Sequence, residues 1–164
     1  MITVNESKVE VGHFPDGTQS IKFPVDALWS GLNDMPILIS WYYDSDEELF
    51  TLACVVDWVR RSRGSKRIIK LDMPYVPNAR MDRIKNTNDN FSLKVFANFI
   101  NSLGFDEVIV FNVHSNVSEA LINNVVSLKP NIDVANVIEE KYHPDVIFFP
   151  DEGACKRYSD LRSV

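Results

Sequence analysis

Residues 108–113 read VIVFNV, a stretch that is apolar at every position except one asparagine. Strands without apolar–polar alternation are typical of parallel sheets whose two faces are both covered by helices. The preceding segment, Ser92–Leu103, carries apolar residues at helical spacing and is followed by Gly104. The two segments together predict a helix that leads into a buried parallel strand.

The same alternation continues towards both ends of the chain. A capping-box pattern at Ser45 and Glu48 predicts a helix over residues 46–63. Further expected elements are strands at Pro36–Tyr43, Arg67–Met73 and Asp145–Phe149, a short helix at Ser118–Asn124, and a hairpin of Thr3–Val11 with Gln19–Val25 around the turn Phe14–Gly17. This order predicts one α/β domain with a mostly parallel twisted sheet, helices on both faces and an N-terminal β-hairpin extension.

The composition is that of an ordinary globular domain. The chain has 164 residues, of which 45% are hydrophobic and 24% charged, which excludes disordered, collagen-like and disulfide-rich classes. No apolar run is long enough to span a bilayer, and the N-terminus does not resemble a signal peptide, so we expect no membrane association. Cys54 and Cys155 have no ligand spacing, and we interpret them as thiols of a cytoplasmic protein.

Charge is distributed unevenly along the chain. The net charge is −6, yet residues 60–85 hold nine Lys or Arg and two Asp, so this segment is +7 and the remainder −13. The acidic balance argues against nucleic-acid binding. We interpret the bases of Arg60–Arg67 as partners of a helix C-terminus, and treat Arg80 and Arg83 separately as candidates for a small anion.

Open α/β sheets bind ligands beyond the carboxyl ends of their strands. The expected strands place four loops there, at residues 44–46, 72–90, 112–118 and 150–157. The second loop contains Arg80 and Arg83, whose guanidinium groups match phosphate oxygens in pairs, with Asp82 placed to hold one of them. The alternative is a solvent-exposed turn with local ion pairs.

Two further loops carry candidate ligands. His114 follows the 108–113 strand directly and is either a partner of a divalent metal or of phosphate, or a hydrogen-bonded structural residue. Asp151 either caps the following helix or contacts a sugar hydroxyl or a metal. Neither a Walker A motif nor GxGxxG is present, so the common nucleotide fingerprints are absent.

Five motifs resemble, in order, those of the ribose-phosphate pyrophosphokinases (PRPP synthetases). They are FPDG at 14–17 for FxDG, MPYVPNARMDR at 73–83 for PYxxYARQDR, FSLKVFAN at 91–98 for PISAKLVAN, NVHS at 112–115 for DLHA, and FPDEG at 149–153 for SPDAGG. The resemblance implies a phosphoribosyltransferase-like α/β half and, for the family, transfer of the diphosphoryl group of Mg-ATP to the 1-hydroxyl of ribose 5-phosphate.

The resemblance also implies roles for individual residues. Arg80, Met81, Asp82 and Arg83 would lie on the loop that binds ATP. Phe14 and Asp16 would contact the adenine end of an ATP bound to a neighbouring subunit, in a homo-oligomer that is a dimer or a hexamer. His114 would bind the Mg²⁺ of Mg-ATP, and Asp151 would face metal and ribose hydroxyls.

Several positions depart from the family pattern. Met81 replaces a glutamine and Thr18 a glutamate, while Asn112, Asn123 and Ser127 stand where carboxylates are usual. Loss of three carboxylates predicts weaker cation binding.

Family members are about twice as long, and the residues after Asp151 match neither their catalytic Lys–Arg loop nor their ribose-phosphate loop. We therefore expect residues 1–164 to form a single N-terminal, ATP-side domain that is inactive alone, with the C-terminal ribose-phosphate half absent. Such a domain is either cut from a longer chain, which the end just after a helix start favours, or a naturally short relative. The alternatives are a non-catalytic nucleotide-binding or regulatory subunit that associates with a complete synthetase, and an α/β domain with an unrelated ligand.

Overall fold

The structure is a computed structural model that describes residues 1–28, 35–63, 67–111, 113, 116–128, 131–143, 145, 146 and 148–157. The chain divides into two compact units, Met1–Ser127 and Leu128–Val164, which are described separately.

Strands and helices alternate along the first unit. Its strands are β1 (Ile2–Val4), β2 (Ser7–Lys8), β3 (Glu10–His13), β4 (Gln19–Lys22), β5 (Ile37–Trp41), β6 (Ile69–Met73), β7 (Glu107–Phe111) and β8 (Val125–Leu128). Its helices are α1 (Glu48–Arg63), α2 (Ser92–Ser102), α3 (Asn116–Leu121) and a 3-10 turn at Val25–Leu28. The second unit contains α4 (Asn131–Tyr142) and α5 (Glu152–Arg157).

Six strands form one sheet in the order β2-β1-β5-β6-β7-β8, and β3 pairs with β4 in a separate hairpin. The central strands β5, β6 and β7 are parallel, while β1 is antiparallel to both β2 and β5. The predicted α/β class and the predicted N-terminal hairpin are therefore confirmed.

One face of this sheet forms the core. On β5, Ile37, Ile39 and Trp41 are buried, and the residues between them are only half-buried, as the two-residue period of a strand requires. The same pattern recurs on β6. The Trp41 ring stacks on Phe96 of α2, with ring centroids 6.0 Å apart. Phe96 and Ile100 of the stripe predicted for α2 are therefore buried, whereas Val95 of that stripe is 62% exposed.

Register aligns the carboxyl ends of the central strands. Ser40 of β5 lies opposite Asp72 of β6, and Met73, the last residue of β6, lies opposite Val110 of β7. The loops that follow these three strands consequently leave the sheet at one edge, which is where α/β sheets bind ligands.

The N-terminal residues fold differently from the single strand expected over Thr3–Val11. Asn5 and Glu6 have φ angles of 45° and 70°, the left-handed conformation that two-residue hairpin turns require, so β1 and β2 form an extra hairpin. The Asn5 side chain donates to the Ala27 carbonyl and accepts from the Leu38 amide, each at 2.9 Å. These bonds hold the extra hairpin at the edge of the sheet.

The strand predicted at Asp145–Phe149 is wrong for the residues described there. Residues 145, 146, 148 and 149 belong to no strand, and β8 at Val125–Leu128 instead takes the place beside β7. Val146 and Phe148 are 79% and 84% exposed, so this apolar run is not buried as a central strand would be. The helix α4, with its mixed polarity, was also not predicted.

Among the bases of the +7 segment, Arg60 and Arg61 of α1 both have partners near a helix end. The Arg60 Nη2 group donates to the carbonyls of Leu103 (3.1 Å) and Gly104 (2.7 Å), which end α2. Gly104 has a φ of 66°, which suits glycine at a helix end. Arg61 pairs with Asp57 one turn back on α1. The predicted helix-end role therefore holds for Arg60, but on α2 rather than on its own helix.

Glu48 connects the first strand pair to α1. Its carboxylate accepts hydrogen bonds from the Trp41 indole (2.9 Å), the Asp44 amide (2.8 Å) and the amino group of Met1. Although partial burial acts to raise the pKa of Glu48, these donors outweigh it and the pKa is lowered. The predicted capping box is therefore wrong: Glu48 is the first residue of α1, and its carboxylate binds the Asp44 amide and the Trp41 indole instead of the Ser45 amide.

Replacing Arg60 by alanine should lower the free energy of unfolding by about 1.5–3 kcal/mol, because two carbonyls lose a charged donor. Arg61→Ala is the matched control, since an exposed pair on one helix contributes at most about 0.5 kcal/mol. Urea unfolding of both variants measures the difference. Equal effects would contradict a structural role for Arg60.

Replacing Glu48 by alanine should cost about 1–3 kcal/mol in urea unfolding, because the indole donor of the buried Trp41 loses its acceptor. Since the folded pKa is lowered, the ionic contribution is present above the unfolded pKa and is lost as pH falls through the folded value. Glu48→Gln should therefore flatten the acid side of the stability profile relative to the original chain. An unchanged acid profile in Glu48→Gln would refute the assignment, and Glu140→Ala on α4 is the control.

Candidate functional site

The loop between β6 and α2, residues 74–91, is fixed to the body of the unit at several points. Two of its own residues, Val76 and Ala79, are buried in the core. The Met81 amide donates to the Asn78 carbonyl at 2.9 Å, and the Leu93 amide of α2 donates to the Met81 carbonyl at 3.2 Å. The segment that carries the two arginines is thus braced on both sides.

The two arginines differ in their partners. Arg83 donates from Nε and Nη2 to the two oxygens of Asp82, at 2.8 and 3.3 Å. Asp82 is buried whereas the Arg83 side chain is 66% exposed. The hydrogen bond and charge of Asp82 raise the pKa of Arg83. Arg80 is exposed and has no ion pair within the described residues. Asp82 therefore holds one guanidinium, as expected, and Arg80 presents the other to solvent.

The second half of the loop is closed by Asp89. One oxygen of its carboxylate accepts from the amides of Lys85 (2.9 Å) and Asn86 (2.8 Å). These backbone donors, first that of Asn86, lower the pKa of Asp89. The turn orders Lys85, a third cation of this exposed loop.

Two tyrosines that the sequence analysis did not select lie at the same sheet edge. Tyr43 follows β5 and Tyr75 follows β6, with ring centroids 6.3 Å apart. The Tyr43 hydroxyl donates to Asp46 at 2.9 Å, and this hydrogen bond raises the pKa of Tyr43. Their position two residues after a strand end was a usable signal. Their rings lie next to each other where the loop of residues 74–91 begins.

Phe14 and Asp16 lie at the tip of the β3–β4 hairpin. The Phe14 side chain is 55% exposed. Asp16 accepts from the hydroxyl (2.7 Å) and the amide (2.9 Å) of Thr18, which lowers the pKa of Asp16. Gly17 has a φ of 85°, which the turn requires. Within the described residues, no recorded contact joins this tip to Arg80 or Arg83.

Asp151, in the second unit, caps a helix. Its Oδ1 accepts from the Ala154 amide at 2.6 Å, at the start of α5. The capping interpretation is therefore confirmed, and contact with a metal or a ribose hydroxyl stays a prediction. His114 and Asn112 lie outside the described residues.

A protein-held Mg²⁺ has little support among the described residues. They contain no group of three or more His, Cys, Asp or Glu side chains that could hold a metal. Asn123 and Ser127 do not provide the carboxylates that Mg²⁺ prefers. The described donor set does not fit a dedicated metal site. Across the same residues, no helix combines the length and the apolar character that crossing a membrane requires.

Comparisons with known proteins were made over the whole chain. A ribose-phosphate pyrophosphokinase of Methanobrevibacter smithii is 29% identical over 158 residues, which cover 95% of this chain and 51% of that protein. The ribose-phosphate pyrophosphokinase of Nitrosomonas europaea is 24% identical over 165 residues, covering 98% of this chain and 50% of the relative. No protein-family model matches the chain.

A solved structure has the same fold. The phosphoribosylpyrophosphate synthetase of Mycobacterium smegmatis aligns with a TM-score of 0.70 and 19% identity, covering 96% of this chain and 53% of that one. The chain spans about half the length of the curated relatives it matches. The resemblance that the five motifs indicated is therefore confirmed, and the chain is similar over nearly its whole length to ribose-phosphate pyrophosphokinases.

Proposed function

We propose that this chain is the ATP-side, N-terminal half of a ribose-phosphate diphosphokinase. The complete protein would transfer the diphosphoryl group of Mg-ATP to the 1-hydroxyl of ribose 5-phosphate, a step towards nucleotides, and would act as a homo-oligomer in the cytoplasm. The similarity to ribose-phosphate pyrophosphokinases supports this reaction. Because the chain matches about half of those relatives, we expect it to bind ATP without completing the transfer alone.

The observation that carries the proposal is the arrangement of Arg80 and Arg83. Asp82 fixes the Arg83 fork, and the exposed Arg80 fork lies three residues away on a braced loop at the carboxyl edge of the sheet. Preorganised guanidinium groups stabilise the charge of a polyphosphate without losing much conformational entropy on binding. Phosphoryl transfer depends mainly on such positioning and charge stabilisation.

In this proposal Mg²⁺ arrives with ATP as part of the substrate. The phosphate oxygens of ATP would provide the principal ligands, because Mg²⁺ is usually bound through substrate phosphates and one or two carboxylates. The proposed roles of His114 as a metal partner, and of Asp151 as a metal or ribose partner, follow the resemblance. The Asp151 oxygen that caps α5 is occupied by the Ala154 amide, which leaves the other oxygen for such a contact.

A second candidate is a non-catalytic nucleotide-binding or regulatory subunit. The presence of Asn123 and Ser127, where relatives of this type usually carry carboxylates, favours it. The backbone amide of Asn123 donates a hydrogen bond to Oδ1 of Asn101 at 2.8 Å, so Asn123 takes part in the packing of the α3 end. In this candidate the loop of residues 74–91 still binds a nucleotide through Arg80 and Arg83, but no turnover follows.

Arg80→Ala should weaken ATP binding to this chain by about 10- to 100-fold in calorimetry, because one charged hydrogen-bonding partner is lost. Arg61→Ala is the matched control, since its guanidinium is paired with Asp57 on α1. ATP affinity that is unchanged by Arg80→Ala, or no ATP binding by the original chain, would contradict the proposal.

Formation of AMP from Mg-ATP and ribose 5-phosphate separates the two candidates. The complete protein, tested with its ribose-phosphate half, should release AMP, and ATP affinity should increase when Mg²⁺ is present. ATP binding that is indifferent to Mg²⁺, with no AMP from any sugar phosphate, would establish the regulatory candidate instead.

A further inference from the structure

The β3–β4 hairpin is a separate two-stranded sheet. Its pairs run from Glu10 opposite Lys22 to His13 opposite Gln19, and neither strand joins the six-stranded sheet. Isolated hairpins have little stability of their own. The orientation of the hairpin relative to the body therefore depends on side-chain contacts with other elements.

A cavity of about 450 Å³ separates part of the hairpin from the start of α1. Its hairpin side includes Val11, His13 and Gln19, and its helix side includes Glu47 and Thr51. Because this space lies between the two elements, close packing does not hold the hairpin here. The contacts at the edge of the cavity must do so.

Gln19 makes the hydrogen bonds that cross this space. Its Nε2 donates to the Glu47 carbonyl at 3.2 Å, and its Oε1 accepts from the Thr51 hydroxyl at 2.8 Å. Thr51 is 2% exposed. A helical threonine often donates to the carbonyl four residues before it, which here is that of Glu47. Instead that carbonyl and the Thr51 hydroxyl both bind Gln19.

The position of Gln19 in the hairpin gives these bonds leverage over the tip. Gln19 pairs with His13, the last pair before the turn that carries Phe14 and Asp16. Further anchors lie nearer the base of the hairpin. Phe23 stacks on Trp58 of α1 with centroids 4.8 Å apart, Ile21 packs against the core, and the buried Val9 links β3 to β2. The His13–Glu47 ion pair is long, at 3.8 Å, and both side chains are exposed, so it contributes little.

We propose that Gln19 and Thr51 are positioning residues, which hold the turn of Phe14 and Asp16 at one orientation relative to α1. The inference rests on the proposed function and on the family resemblance, which implies that this turn contacts an ATP bound to a second copy of the chain. Two hydrogen bonds from the body to Gln19 fix the hairpin close to its tip, and the Phe23–Trp58 stack fixes its base. Loss of the Thr51 hydroxyl removes the shorter of these two bonds, which loosens the tip while the base stays attached.

Residual dipolar couplings of backbone amides test this directly. In the original chain, the amides of β3, β4 and α1 should fit one alignment tensor. In Thr51→Val, which removes the hydroxyl and keeps the shape, the hairpin amides should need a separate, reduced tensor while α1 is unchanged. Thr51→Ser should restore the single tensor. Thr3→Val on β1 makes the same chemical change away from the hairpin and is the control.

ATP affinity in the presence of Mg²⁺, at a chain concentration where copies associate, gives the functional arm. Thr51→Val should weaken it about two- to tenfold, the effect of one neutral hydrogen bond, and Thr51→Ser should recover it. A single tensor in Thr51→Val overturns the positioning role. A separate tensor with unchanged ATP affinity overturns the connection to the nucleotide site. Absence of ATP binding by the original chain refutes the proposed function and that connection, while the couplings still decide the positioning role.

Discussion

Parallel pairing of β5, β6 and β7 is the constraint on which the rest of the first unit depends. The pairing places Ser40 opposite Asp72 and Met73 opposite Val110, so that three consecutive loops leave the sheet at one edge. Burial of one sheet face under α1 and α2 favours this register, because a shift by one residue would expose the apolar side chains. Without this pairing, Tyr43 after β5 would not lie beside Tyr75 in the loop of residues 74–91.

At this edge of the sheet, positive charge is combined with a loop that hydrogen bonds hold in place. The chain is acidic overall, yet the loop after β6 presents Arg80, Arg83 and Lys85 to solvent. Backbone hydrogen bonds at Met81, and those to the Asp89 carboxylate, fix this loop before any ligand arrives. Other bases of the same +7 segment are used structurally, as Arg60 is at the end of α2. A locally ordered cationic loop in an acidic domain suits a small polyanion better than a nucleic acid.

The sequence predicted the main helices and central strands, but few of the individual turns and side-chain contacts. Apolar residues at helical spacing identified α1 and α2, and short apolar runs identified the three central strands. The turn at Asn5 and Glu6 was missed because neither residue is the glycine that such turns favour. Asp82 could be assigned to an arginine from spacing, whereas Gln19 could not be linked to Thr51. That contact joins residues far apart in the chain, and no local pattern encodes it.

The central claim is that the loop of residues 74–91 binds the polyphosphate of ATP. Amide chemical shifts in this chain test that claim most directly. Titration of ATP with Mg²⁺ should shift the amides of residues 75–89 and leave those at the opposite ends of β5 and β6, such as Ile37 and Ile69, in place. Inorganic triphosphate should reproduce the shifts near Arg80 and Arg83. An ATP titration that leaves the loop amides unmoved, or moves only amides elsewhere, would contradict the account.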